Sequence, residues 1–317
     1  MRSGNTPAAA TITDADERPI PDDDAFALLL THDVDRPYKT YQSVYYALTD
    51  AERRWHHLES GLPGTNPYWQ FEAVAALEAD LGVRSAFYAL DEQSLFDRPL
   101  REWLSKDSWQ LYAGRYDIED TDVVRVLRAL DRGGWEVGLH GSFHSFDDRE
   151  RLAAEKRAVE RAVGRPVRGG RQHYLNLDPP GSWRHHRAVG LRYDTSLGSS
   201  SEYGFRHGYG LYRPFDDDFV VFPLTLMEQA LPDPTTEFEA AWTACEELLV
   251  EAREHNAVAT VLWHPRYFSD ADFPNYARLY RRLIERALDM DAWVGSPGQF
   301  YDAADLGDAD GVLGDAE

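Results

Sequence analysis

The chain has 317 residues and a formal net charge of −22, because 55 Asp and Glu residues outnumber 33 Lys and Arg residues. Such acidity argues against nucleic acid or an anionic membrane surface as the principal partner. No stretch approaches the roughly 20 apolar residues of a membrane span, so no transmembrane segment is expected. Only three of the basic residues are lysine, and a surface rich in carboxylate but poor in lysine is typical of a protein that works in concentrated salt.

The termini and the single cysteine indicate how the chain is organised. The first 24 residues lack the basic segment and apolar core of a secretory signal, so we expect a cytoplasmic protein with a solvated tail at 1–24. One domain would span 25–301, followed by an acidic tail at 302–317. Cys245 lies on the apolar stripe of a predicted helix, which indicates a core thiol rather than a nucleophile.

The first strongly apolar stretch, at 26–30, runs directly into the sequence Thr-His-Asp-Val-Asp at 31–35. An uninterrupted apolar run of this length predicts a strand buried on both faces, as in a parallel sheet covered by helices. Asp33 and Asp35 then follow the strand, where a carboxylate is costly to bury unless a cation or hydrogen-bond donors neutralise it. The alternative is that either residue caps the following turn. His32 receives no catalytic role.

The rest of the chain alternates predicted helices with predicted strands. Insertions at 40–59 and 91–120 have no sheet pattern and are expected to form rims. Helices are predicted at 71–82, 121–133, 147–163, 180–189, 238–249 and 275–288, and further strands at 83–90, 135–139, 191–193, 219–222, 258–263 and 292–294. This alternation predicts a single α/β domain, either a (β/α) barrel or an open parallel sheet.

Histidines follow two of these predicted strands. His140 and His144 come directly after one strand, four residues apart, and small residues beside them would let the backbone approach a ligand. That spacing can bring two imidazoles to one cation. His264 follows the apolar run 258–263, although a satisfied core histidine is the alternative there. Together with the two aspartates, these residues suggest one metal site with an acid/base pair beside it.

The order of these motifs resembles the polysaccharide deacetylase (NodB-homology) family of metal-dependent carbohydrate esterases. The motif at 138–145, the second in chain order, is the closest match, and the first, at 31–35, resembles a divergent branch that reads His-Asp-Val-Asp. The third lacks the usual Pro-Pro and Gly. The five motifs lie at 31–35, 138–145, 171–174, 193–197 and 262–264.

The resemblance implies a fold and an activity. The fold would be a distorted (β/α) barrel with about seven strands, in a single domain with helical and loop insertions. The activity would be hydrolysis of an acetyl group, N-acetyl by preference, on a carbohydrate, with a divalent ion of the zinc type as cofactor.

The resemblance also implies a role for each site residue. Asp35, His140 and His144 would hold the metal ion. Asp33 would act as general base and His264 as general acid. Arg171 would keep Asp33 ionised, and Asp194 would orient His264.

Two other classes remain open at this stage. One is a different metal-dependent amidase that acts on a C–N bond of a small nitrogenous compound. The other is a carbohydrate-binding barrel without catalysis. Aromatic residues of and beside the insertions could stack on sugar rings or could pack the insertions themselves: Tyr68, Trp69, Trp103, Trp109 and Tyr112.

Overall fold

The computed structural model describes residues 19–21, 24–40, 42–49, 54–59, 66–113, 115–215 and 217–307. Nearly all of the expected N-terminal tail at 1–24 and most of the expected C-terminal tail at 302–317 lie outside these ranges. The folded part extends past the expected boundary at 302, because the last helix runs to Ala303 and Leu306 is buried. None of the described helices combines the length and apolar character that crossing a bilayer requires.

Within the described ranges, strands of one sheet form the centre of the molecule. They are β1 (Phe26–Val34), β2 (Ala86–Leu90), β3 (Glu136–Gly141), β4 (Gly169–Gln172), β5 (Tyr193–Asp194), β6 (Val220–Val221), β7 (Leu224–Met227), β8 (Val258–Leu262) and β9 (Ala292–Gly295). The order is β6-β5-β4-β3-β2-β1-β8-β7, with β9 also paired to β1, and the strand pairs are parallel. The seven strands expected from the sequence are present, and β4 and β7 are additional.

Strand β1 is the central element, because it pairs with β2, β8 and β9. All nine of its residues are buried. Phe26, Leu28 and Leu30 join the large apolar core, while Ala27 and Leu29 join a second cluster on the opposite face. Side chains alternate across a strand, so burial on both faces explains why the run is continuously apolar. The prediction of a doubly covered strand is therefore confirmed.

The helices and insertions surround this curled sheet. They are α1 (Gln42–Thr49), α2 (Arg54–Glu59), α3 (Phe71–Asp80), α4 (Lys106–Tyr112), α5 (Thr121–Arg132), α6 (Arg149–Val163), α7 (Gly181–Ala188), α8 (Phe238–His255), α9 (Tyr276–Asp289) and α10 (Pro297–Ala303). Local signals set their ends: Asp148 caps α6 through the Arg151 N–H, and Gly164 ends it at φ +95°. Cys245 is fully buried on α8, as predicted for a core thiol.

Strand β4 was not predicted, because its sequence Gly-Gly-Arg-Gln carries no apolar pattern. Its glycines are required by close packing. A Cβ on Gly170 would lie 2.0 Å from the Leu139 carbonyl oxygen, and one on Gly169 would lie 1.9 Å from the Tyr193 ring. This close approach pairs Arg171 with His140 across the sheet and so brings the third motif to the second.

The insertions stand at the carboxyl end of the sheet, since α1 and α2 follow β1 and α4 follows β2. Most of the aromatic rings singled out from the sequence pack inside the protein. Tyr68 and Tyr112 are buried, and Trp69 and Trp103 are partly buried against apolar neighbours. Trp109, at 43 % exposure, is the most open of the five. Four of the five rings therefore contribute mainly to packing.

Candidate active site

The carboxyl ends of β1, β3 and β8 bring four predicted residues together. Asp35 Oδ1 lies 3.1 Å from His140 Nε2, and Asp35 Oδ2 lies 3.6 Å from His264 Nε2. Asp33 Oδ2 faces the same His140 nitrogen at 3.8 Å. Residues that are more than 200 positions apart in sequence thus share one cluster, at the edge of a parallel sheet where catalytic groups commonly lie.

The third imidazole of this cluster is His173 rather than His144. Asp35, His140 and His173 each offer a ligand atom, and these atoms all lie within 4.8 Å of one another. His173 Nε2 is 3.7 Å from Asp35 Oδ1. His144 is exposed and packs edge-on against Phe143, so the structure does not bring it to the group that the sequence assigned to it.

The donor set fits a divalent cation. His140 Nδ1 lies 2.9 Å from the Arg171 carbonyl oxygen and must donate to it, so Nε2 faces Asp35 with its lone pair unless a proton or a cation lies between them. A tetrahedral ion with bonds of about 2.05 Å separates its donors by about 3.3 Å. The observed separations of 3.1 and 3.7 Å lie on either side of that value.

The protonation states of Asp35 and His173 suit ligation. Burial lowers the pKa of His140, but Asp33 and Asp35 together raise it above its usual value, so a cation bound there would displace a proton. Burial disfavours ionisation of Asp35, but the surrounding histidines, of which His140 also donates a hydrogen bond, hold the pKa of its carboxyl well below the usual range. Burial and the neighbouring Arg115 guanidinium hold the pKa of His173 well below its usual range, so this imidazole is neutral. Its Nε2 accepts from Arg115 Nη2 at 3.2 Å, and a cation bound there would replace this contact. An ionised carboxylate and a neutral imidazole are the forms that bind metal.

Asp33 is held in one orientation by Arg171. Arg171 is almost completely buried, and its Nη1 donates to Asp33 Oδ1 at 2.9 Å and to Thr31 Oγ1 at 2.9 Å. Its Nε donates to the Thr195 carbonyl oxygen. One carboxylate oxygen of Asp33 is therefore anchored, while the other faces the cluster.

The partner of His264 is Glu228, not Asp194. His264 Nδ1 lies 2.7 Å from Glu228 Oε1, and Glu228 is completely buried. Asp194 instead accepts from Trp183 Nε1 at 3.1 Å and from the Ser196 backbone, and it lies 3.2 Å from His186 Nδ1. Asp194 thus ties α7 to the end of β5, and the expectation that it orients His264 is not supported.

His32 belongs to a buried network behind the site. Its Nε2 lies 2.9 Å from Glu78 Oε1, and its Nδ1 contacts the Trp263 carbonyl oxygen. Glu78 also accepts from Tyr280 Oη at 2.7 Å and Trp135 Nε1 at 2.7 Å. His32 therefore fastens β1 to the residue before His264 and is not a candidate ligand.

Two residues of the candidate site were not singled out from the sequence, although weak signals existed. Glu228 directly follows the apolar strand β7, which is the same arrangement that singled out Asp35 after β1. His173 follows β4 in the third motif, where Tyr174 and Leu175 have φ of 58° and 53°. Left-handed conformations are uncommon for such residues and often mark functional turns; here the turn lies beside the histidine that reaches Asp35.

No family model matches the chain, and no curated protein matches it either. Solved structures do. A protein from Mycobacterium smegmatis described as a polysaccharide deacetylase is 17% identical with a TM-score of 0.57, over 90% of this chain and 93% of that one. One from Pseudomonas aeruginosa PAO1 with the same description is 13% identical with a TM-score of 0.54, over 89% and 91%. The structure of Puue allantoinase is 13% identical with a TM-score of 0.58, over 95% and 97%. At these identities the likeness shows a shared fold: the chain has the curled parallel half-barrel of proteins described as polysaccharide deacetylases.

Proposed function

We propose that this chain is a metal-dependent hydrolase that removes an acetyl group, N-acetyl by preference, from a carbohydrate. The observation that carries the proposal is the position of Asp33 and His264, which both face the cluster formed by Asp35, His140 and His173. An acid/base pair beside a candidate metal site is what amide hydrolysis requires.

Asp35, His140 and His173 would hold the cation, and one carboxylate with two imidazoles favours zinc among the common divalent ions. When bound, such an ion supplies Lewis acidity, which makes water more acidic and stabilises negative charge on the acyl oxygen. Three protein ligands leave positions open, which is the arrangement of catalytic rather than structural sites.

Asp33 would be the general base. Arg171 holds Oδ1 at 2.9 Å, so the carboxylate cannot rotate freely and Oδ2 stays directed at the cluster. The base would take the proton of the attacking water through Oδ2.

His264 would be the general acid. Glu228 accepts a hydrogen bond from the Nδ1–H group of His264, and the other ring nitrogen, Nε2, faces Asp35 and the cleft. A protonated Nε2 can give its proton to the departing nitrogen. This step is needed because, without a proton, the nitrogen would have to leave as an amine anion, which is a very poor leaving group. Glu228 fixes the orientation of the ring, as carboxylates do for catalytic imidazoles.

Metal analysis combined with acetate release from a panel of N- and O-acetylated sugars tests this function. We expect Asp33→Asn to lower acetate release at least about 10²-fold while metal content is retained, since general base catalysis contributes about 10²–10⁴-fold. His144→Ala is the matched control, because that imidazole is exposed and outside the cluster. Full activity of the Asp33→Asn protein would refute the assignment.

A second candidate is hydrolysis of a C–N bond in a small nitrogenous compound. The likeness to Puue allantoinase, over 97% of that chain, favours this possibility within the same fold. Adding small cyclic and linear amides to the panel separates the two, because ammonia or carboxylate release without acetate would support the second. Sugar binding without any release would instead indicate a non-catalytic binding protein.

A further inference from the structure

His32 and Glu78 form a completely buried pair that the proposed chemistry does not use. His32 Nε2 lies 2.9 Å from Glu78 Oε1, and neither side chain is exposed to solvent. The His32 ring packs against Phe87 and Phe268, with ring centroids 4.7 and 6.0 Å away. A charged side chain is costly to bury unless its hydrogen bonds are made within the protein. The partners of this pair therefore determine which protonation states fit the structure.

The carboxylate of Glu78 is surrounded by hydrogen-bond donors. Beside the His32 ring, Oε1 accepts from Tyr280 Oη at 2.7 Å. The other oxygen, Oε2, accepts from Trp135 Nε1 at 2.7 Å and from Ser85 Oγ at 2.8 Å. An ionised carboxylate offers about four acceptor positions and has no proton to donate. Because a donor stands at each position, the ionised form of Glu78 is the one that matches its surroundings.

The His32 ring has an acceptor at each of its nitrogens. Nε2 faces the Glu78 carboxylate, and Nδ1 contacts the carbonyl oxygen of Trp263, which can only accept. Tyr280 Oη lies 3.3 Å from Nε2, but its proton is directed to Glu78. A neutral imidazole has one N–H group and one lone pair, so its lone pair would face one of these acceptors. Both contacts together require the doubly protonated ring.

The contact with Trp263 lies one residue before the candidate acid, His264. Register pairing between β1 and β8 ends at Thr31 and Leu262. Beyond that point the Trp263 N–H donates to the Thr31 carbonyl oxygen at 2.9 Å, and the Trp263 carbonyl oxygen accepts from His32. Both peptide groups of Trp263 are therefore bonded to β1. The second bond holds the peptide that leads directly into His264.

We propose that His32 is a positioning residue for the candidate acid, His264. As an imidazolium paired with Glu78, it holds the Trp263 carbonyl oxygen and so fixes the peptide that leads into the acid. His32 does not touch the substrate, because successive side chains of a strand point to opposite faces and Asp33 faces the cluster. This inference rests on the proposed function, in which Asp33 and His264 act on one substrate.

The protonation state of His32 is tested on the unchanged chain with isotope-labelled histidine. Long-range proton–nitrogen NMR correlations near neutral pH show which ring nitrogens carry a proton. We expect both nitrogens of His32 to be protonated. The His32→Asn protein identifies the signals of this ring, because they are missing from its spectrum. A His32 ring with a single protonated nitrogen would overturn the inference.

Two substitutions separate the two hydrogen bonds of the ring. The amide nitrogen of asparagine can take the place of Nδ1, and that of glutamine the place of Nε2. His32→Asn therefore keeps a donor for the Trp263 carbonyl oxygen, whereas His32→Gln keeps only the donor for Glu78. In acetate release with zinc, we expect kcat to fall at least about tenfold in His32→Gln and to stay within about threefold of the parent in His32→Asn. KM and zinc content should be unchanged in both. Equal kcat in the two variants, whether high or low, would overturn the inference.

The position of the His264 ring can be followed without any hydrolysis. The signal of its Nδ1–H group, which faces Glu228, should shift in His32→Gln and stay unchanged in His32→Asn. His186→Gln is the matched control and should leave this signal unchanged, because His186 is also buried but lies 3.2 Å from Asp194 on another part of the sheet. An unchanged His264 signal in His32→Gln would overturn the inference. If no acetylated compound is hydrolysed, the proposed function fails, and these spectra still decide whether His32 positions His264.

Discussion

Replacement of His173 by alanine distinguishes the candidate metal site seen in the structure from the one expected from sequence spacing. The structure places His173 Nε2 at 3.7 Å from Asp35 Oδ1, whereas His144 is exposed. His173→Ala should therefore weaken zinc binding, and His144→Ala should not. The two variants remove the same kind of side chain, one inside the cluster and one outside it, so they form a matched pair.

The size of the expected loss follows from the ligand count. Removing a side chain that merely supports a metal ligand costs about 10- to 100-fold in affinity, and loss of one of three direct ligands should cost at least the upper value. A 100-fold loss corresponds to about 2.7 kcal/mol. A bound ligand stabilises a folded protein by its binding free energy. At the same saturating zinc concentration, the increase in free energy of unfolding caused by zinc should therefore be about 2.7 kcal/mol smaller for the His173→Ala protein than for the unchanged chain.

Zinc affinity is measured by competition with a chromophoric chelator, and the stabilisation by urea unfolding with and without zinc. For each variant, the free energy of unfolding without zinc is subtracted from the value with zinc. This subtraction removes any effect that the substitution has on the stability of the metal-free protein. If His144→Ala loses zinc and His173→Ala keeps it, the reasoning from the structure is refuted and the His-x-x-x-His pair is the true site.

Three further predictions concern other groups. Glu228→Gln should lower turnover at least about 10²-fold without loss of metal, because His264 loses the partner that orients it, and equal turnover would exclude that role. Asp194→Asn should lower the free energy of unfolding near neutral pH, since His186 and Ser196 outweigh burial and lower the Asp194 pKa below 3.8. A carboxyl whose pKa is lower in the folded state stabilises the fold at any pH above its unfolded-state pKa, and this stability is lost as the pH falls through its folded-state pKa. The difference in free energy of unfolding between the Asp194→Asn protein and the parent, measured with urea, should therefore vanish at acid pH. A difference that stays constant with pH would contradict this. Burial raises the pKa of the Cys245 thiol to about 12, so a thiol reagent at pH 8 should label the chain only after denaturation, and rapid labelling of folded protein would disprove core burial.

The elements that the sequence predicted correctly are those whose burial leaves a periodic or continuous apolar pattern. Strand β1 was recognisable because both of its faces are covered, and α8 because Cys245 and its neighbours form one apolar stripe. Strand β4 has no such pattern, since glycines at 169 and 170 serve the close approach of neighbouring strands. Strand β4 forms because of contacts with neighbouring strands, and a short stretch of sequence around it carries no sign of those contacts.

The site was predictable in part for the same reason. Asp33, His140 and His264 lie at the ends of apolar strands, so position along the chain identified them. The choice between His144 and His173 depends on the path of the backbone after β3 and β4, which spacing alone does not determine. The partner of His264 was misassigned because Glu228 follows β7, a strand of four residues inside a segment that reads as loop.

Arg171 links the two halves of the proposed chemistry through one residue. Its side chain anchors the base, Asp33, while its carbonyl oxygen accepts from the ring of His140, a candidate ligand. Both contacts rely on the register of β4, which the glycine at position 170 permits. A small slip of this strand would therefore disturb ion affinity and proton abstraction simultaneously, so neither property can be tuned alone by substitutions in β4. Variation that separates them must come from residues on other strands.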